Sequence, residues 1–78
     1  MTTQEIKLKC VKIAVGTKKN HEEIWNFVKD DNQTEMEFKL TCVSLANEYN
    51  FLVPTTEMLK KAKEIYCFVS AEENKREN

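Results

Sequence analysis

Ten residues of this chain occur twice. Glu5-Ile6-Lys7-Leu8-Lys9-Cys10-Val11-Lys12-Ile13-Ala14 returns as Glu37-Phe38-Lys39-Leu40-Thr41-Cys42-Val43-Ser44-Leu45-Ala46, identical at six of ten positions with a constant displacement of 32. Upstream, Thr2 stands three residues before Glu5 and Thr34 three before Glu37, and both pairs have capping-box spacing. Downstream, Ile24-Trp25-Asn26-Phe27-Val28 is answered by Ile65-Tyr66-Cys67-Phe68-Val69, displaced by 41. A repeat of this size constrains the fold before any propensity is considered, because one such unit cannot enclose its own apolar face and needs a neighbour to cover it.

Helical spacing runs through both copies. Over residues 2–15 a 100° step places Ile6, Leu8, Cys10, Val11, Ile13, Ala14 and Val15 on one broad arc, with Glu5, Lys9 and Lys12 opposite. Residues 20–31 open with Asn20 and Glu23 in capping-box spacing and put His21, Ile24, Trp25, Phe27 and Val28 on one side. A third helix is expected from Thr34 to about Tyr49, turning Met36, Phe38, Cys42, Val43, Leu45, Ala46 and Tyr49 to the core. A fourth follows Pro54, capped by Thr55 or Thr56, with Met58, Ala62, Ile65, Tyr66 and Val69 on its apolar side. The single glycine, Gly16, is read as the end of the first helix, and the single proline as the break before the last.

The expected fold is therefore all-α: two helix hairpins from an internal duplication, residues 2–31 and 34–70, forming a compact four-helix arrangement with a pseudo-two-fold axis. Residues 1–78 form one domain, whose polar tail 71–78 should fray. The halves are unequal, since nine extra residues lengthen the second connection and the fourth helix.

Charge content of 32% beside 41% hydrophobic residues and a net charge of -1 describes a soluble globular chain rather than a disordered one. The total implies no long-range electrostatic partner, but the distribution is uneven. Residues 1–20 carry five lysines against Glu5, and residues 21–37 carry six acids against Lys29. Three cysteines are an odd number, and no signal-peptide apolar run follows Met1, so a reducing cytoplasm is the expected compartment. No stretch approaches the ~20 apolar residues of a membrane span.

Residues able to do chemistry are few. Lys7 and Lys39 correspond in the two copies and fall inside the apolar arc; either their stems pack while the ammonium reaches water or a carboxylate, or they form a paired basic contact for an acidic partner. Cys10 and Cys42, each followed by valine, read as small core hydrophobes, and Cys67 as a surface thiol with Lys63 one turn earlier. No closely spaced ligand pair suggests zinc, so no metal and no cofactor is expected. His21, the only histidine, has no nucleophile or carboxylate constellation around it, and glycine-rich phosphate loops and other catalytic motifs are missing from the sequence, so the chain reads as no enzyme.

The second connection is more informative. Tyr49, Phe51, Leu52 and Val53 form an apolar run where a loop is ordinarily polar. Either it closes the end of the bundle as a lid, or it is an exposed patch for a protein partner. Trp25 carries the same two readings, core packing or partner contact.

The phrases EIKLKCVKIA and EMLKKAKEIYCFV resemble a pattern in small, poorly characterised helical proteins encoded by bacteriophages and prophages, over about half the chain. This chain departs from it by carrying the leading phrase twice. The resemblance implies a small phage product acting in the bacterial cytoplasm by binding and inhibiting a host protein, nucleoprotein or defence complex, for example as an anti-CRISPR or other anti-defence factor, through steric occlusion. Lys7, Lys39, Tyr49, Phe51 and Leu52 are the candidate partner-binding residues. The alternative is a nucleic-acid-associated regulator using Lys7, Lys9, Lys12, Lys18 and Lys19, against which stand a pI of 5.8 and a single arginine. Homo-oligomerisation is also open.

Overall fold

The computed structural model describes residues 2–77, with side chains for 2–70, as four helices: α1 Thr3–Thr17, α2 His21–Val28, α3 Gln33–Tyr49 and α4 Thr55–Glu77. Local side-chain chemistry sets most of their boundaries. The Thr2 hydroxyl accepts the Glu5 N–H at 3.2 Å while the Glu5 carboxylate accepts the Thr2 N–H at 3.0 Å, completing the capping box that opens α1. Those bonds, the Thr2 backbone N–H foremost, hold the Glu5 carboxyl below its ordinary value. Asn20 caps α2, its side-chain oxygen accepting the N–H groups of Glu22 and Glu23.

Other boundaries differ from the sequence expectation. Gly16 does not end α1. The helix passes through it to Thr17, and Lys18 takes the left-handed terminating conformation at φ 57°, its N–H and that of Lys19 both directed to the Ala14 carbonyl. Helix α2 stops at Val28 rather than 31, because the Asp30 carboxylate accepts the Asn32 N–H at 2.8 Å and turns the chain. Asn32 then caps α3 through the Glu35 N–H at 3.1 Å, so Thr34 lies within the first turn and is not the cap. Pro54 precedes α4 as expected, its carbonyl accepting the Met58 N–H at 3.0 Å. Neither Thr55 nor Thr56 is seen to cap that helix; the buried Thr55 hydroxyl instead accepts the Asn20 N–H at 2.9 Å, tying the start of α4 to the start of α2. The trace of α4 runs through Glu77, while the side chains of 71–78, and with them the expected fraying of the tail, lie outside the described residues.

Helix α3 sits at the centre, packing on α1, α2 and most extensively on α4; α2 also meets α1 and α4, and α1 and α4 make no contact among the described residues. Ile6, Cys10 and Ala14 of α1 meet Ile24 and Val28 of α2, Met36, Leu40, Cys42, Val43 and Ala46 of α3, and Met58 and Ala62 of α4 in one core. Complete burial of Ile6, Ile24 and Met58 contributes about 1.5–3 kcal/mol each. Several expected core positions are instead exposed: His21, Leu45 and Tyr49, Val69 of α4, and Leu8, Val11 and Val15 of the α1 arc. Leu40, absent from the expected set for α3, is buried. No helix among the described residues is long and apolar enough to cross a membrane.

Candidate protein-interaction surface

The α1 arc is too wide for two neighbouring helices to cover. Ile6, Cys10 and Ala14 take one edge of it inward, and the other edge stays bare: Leu8, Val11 and Val15, spaced i, i+3, i+7, form a solvent-facing apolar stripe. With Lys12 and Gly16 they line a depression of about 630 Å3. Lys7, Lys9, Lys12 and Lys18 are all exposed on or beside this helix.

At the C-terminal end of α1 the stripe reaches the 50–54 connection. Asn50 shapes that connection, its side-chain oxygen accepting the Leu52 N–H at 3.1 Å. The Lys19 ammonium holds it from outside, donating to the Phe51 carbonyl at 2.7 Å, and partial burial lowers the pKa of that lysine. Val53 packs on the core, whereas Phe51 and Leu52 are 58% and 82% exposed. Of the expected apolar lid, only Val53 closes the bundle. Gly16, Lys18, Phe51, Leu52 and Pro54 border a second depression of about 550 Å3, adjacent to the first through Gly16. A Cβ built on Gly16 meets nothing within 4 Å, so this position is open to solvent rather than pressed by packing.

The remaining candidate residues lie elsewhere. Tyr49 is exposed on the α4 side of Val53, with the Lys61 ammonium 4.7 Å from its ring centroid. The Lys7 ammonium sits 5.0 Å over the Trp25 ring, and Trp25 is half-buried against the core. Lys39 sits 5.8 Å over the Tyr66 ring and pairs with Asp30 at 3.3 Å. The Asn32 N–H and then this lysine hold the Asp30 carboxyl below its ordinary value. Tyr66 in turn donates to the Glu35 carboxylate at 2.9 Å, which favours the neutral phenol and raises its pKa, and it stacks at a tilt on Phe38 with centroids 5.1 Å apart. Lys7 and Lys39 therefore rest on different aromatic side chains, and among the described residues they line no common depression.

Cys10 and Cys42 are buried, and loss of solvation pushes the Cys10 thiol up to about 11 and raises that of Cys42. Cys67 is exposed. Among the described residues no group of three or more histidine, cysteine or acidic side chains converges as metal ligands would. The sequence pattern does not separate the exposed stripe of α1 from the buried edge; the one signal for it is the excess width of the α1 apolar arc. No protein-family model, curated protein or solved structure matches the chain.

Proposed function

We infer that this chain is a small, non-enzymatic protein-binding module of phage type that inhibits a host protein or defence complex by covering one of its surfaces. One observation carries the reading: five apolar side chains, Leu8, Val11, Val15, Phe51 and Leu52, stand exposed along α1 and the adjoining connection although the chain has assembled a separate, closed core. Apolar side chains gathered around two adjoining depressions on a small domain support a place where another macromolecule sits. The bacterial cytoplasm is the compartment in which such an inhibitor acts. Regulation through nucleic acid draws less support, because two of the five N-terminal lysines, Lys7 and Lys19, already engage Trp25 and the Phe51 carbonyl.

The finer view of the architecture, two hairpins descended from one duplicated unit, belongs to the same reading. It is supported by Cys10 and Cys42 being equally buried, and by the matched pairs Lys7–Trp25 and Lys39–Tyr66 both forming cation–π contacts.

Steric occlusion has a kinetic signature. Purified chain added to a bacterial host lysate should form a complex of fixed stoichiometry with one host protein, whose activity falls in proportion to chain added and reaches its floor at saturation of that complex. Inhibition that continues at far below one equivalent, or no complex with folded chain, overturns the reading.

A further inference from the structure

Identical residues of the repeated segment have opposite fates in the two halves. Leu8 is 67% exposed while Leu40 is 5% exposed, and Val11 is 36% exposed while Val43 is fully buried. Helix α3 carries its copies of these residues among three helical neighbours; α1 has two, and α4 does not reach it. Two of the three residues of the bare stripe, Leu8 and Val11, thus have counterparts, Leu40 and Val43, that α3 buries inside a helical bundle, while the position matching Val15 is Asn47.

The borders of the stripe say what can lie there. Lys7, Lys9, Lys12 and Lys18 are exposed, and the only acid of the segment, Glu5, has its carboxylate engaged with the Thr2 N–H. A second copy laid on the same face would bring lysines against lysines, which disfavours self-pairing. Two shallow depressions share Gly16, and the open space over that glycine leaves room for a protruding side chain, which suits the relief of a protein surface better than the smooth face of a bilayer.

From this match of shape and charge we propose that the α1 stripe is the docking site for an amphipathic helix of the partner protein, one whose apolar side chains are bordered by Asp or Glu. Leu8, Val11 and Val15 receive its apolar edge, a large partner side chain enters at Gly16 beside Phe51 and Leu52, and Lys12 and Lys18 face its acids. This rests on the protein-binding reading and names the face and the partner chemistry.

The probe is a synthetic amphipathic helical peptide of about 18 residues, with leucines at heptad core positions and glutamates beside them, compared with the same peptide carrying lysines there. Binding is read by anisotropy of the labelled peptide. The glutamate peptide should bind at least about tenfold tighter than the lysine peptide, and added salt should narrow the gap. Gly16→Trp fills open space and Leu8→Gln removes an exposed side chain, so both should keep the wild-type circular dichroism and melting temperature while weakening glutamate-peptide binding at least about tenfold. Equal binding of both peptides, or Gly16→Trp and Leu8→Gln binding as wild type does, overturns the proposal. So does association with vesicles containing phosphatidylglycerol, or a concentration-dependent dimer in sedimentation, if Leu8→Gln abolishes it. A host complex that forms equally well with Gly16→Trp leaves the binding function standing and removes this face; peptide binding without any host complex does the reverse.

Discussion

The ammonium of Lys7 stands 5.0 Å from the centroid of the Trp25 ring, so a lysine drawn on the apolar side of α1 is satisfied by the π-face of an α2 aromatic. Its counterpart Lys39 does the same over Tyr66, at 5.8 Å, with an added ion pair to Asp30 at 3.3 Å. A charge at the edge of a core therefore needs no buried carboxylate here; an aromatic neighbour and partial hydration suffice. Lys7→Met keeps the stem and deletes the charge. In a double-mutant cycle with Trp25→Leu, followed by urea denaturation, the pair should show a coupling of about 0.5 kcal/mol. Strictly additive losses would mean that the contact contributes only packing.

Lys18 holds a left-handed backbone, φ 57°, with a side chain that disfavours it. Lys18→Gly should raise stability by about 1 kcal/mol, because glycine removes the Cβ clash at the terminating position of α1. A higher urea midpoint with an unchanged slope is the expected result; a lower midpoint would contradict it.

Thr55 joins two helix starts by accepting the Asn20 N–H at 2.9 Å from within the fold. Thr55→Val is close in shape but leaves that donor without its acceptor, and should cost about 1–3 kcal/mol. Thr55→Ser keeps the hydroxyl and should lose markedly less, measured by the same denaturation.

Stability should decline in acid through two carboxylates. Glu5 and Asp30 have folded pKa values below their ordinary 4.5 and 3.8, owing chiefly to the backbone N–H groups of Thr2 and Asn32. The folded state therefore binds fewer protons than the unfolded state just below those values. Their contribution is complete above about pH 4.5 and is lost as pH falls through the folded values. Glu5→Gln with Asp30→Asn should flatten the acid limb of a melting-temperature profile taken from pH 6 down to about 2.

The thiols should separate into two classes. Cys67 is exposed and should react promptly with an aromatic disulfide reagent at neutral pH, whereas Cys10 and Cys42 are buried with raised pKa values and should react only on unfolding. One equivalent released from the native chain and three in guanidinium are expected. Three fast equivalents from the native chain would show that the core opens readily.

Helix starts were legible where short-range bonds set them. Thr2 and Asn20 cap as their spacing implies because donor and acceptor lie within three residues. The cap of α3 falls on Asn32 and not on Thr34 because Asn32, two residues earlier, offers an equally good acceptor, and the choice between them depends on the turn that Asp30 builds. The Tyr49 to Pro54 stretch is unusual by its apolar composition, but composition does not separate a lid from an exposed patch. Val53 goes inward and Phe51 and Leu52 outward in a connection held on one side by the Lys19 ammonium and on the other by the Thr55 hydroxyl, both of which are tertiary contacts.

Four helices, their approximate extents and the gathering of Ile6, Cys10 and Ala14 with Leu8, Val11 and Val15 on one apolar arc follow from periodicity and capping, which act within a few residues along the chain. Which part of the wide α1 arc would be left uncovered does not follow from them. Leu8 and Leu40 are the same residue in the same local phrase, and so are Val11 and Val43; no local rule separates them. Tertiary packing does, because burial depends on how many helices stand around a residue: α3 occupies the centre with three neighbours, and α1 lies at the edge with two. The bare leucine and valines that this asymmetry leaves on α1 are the surface on which the proposed function rests.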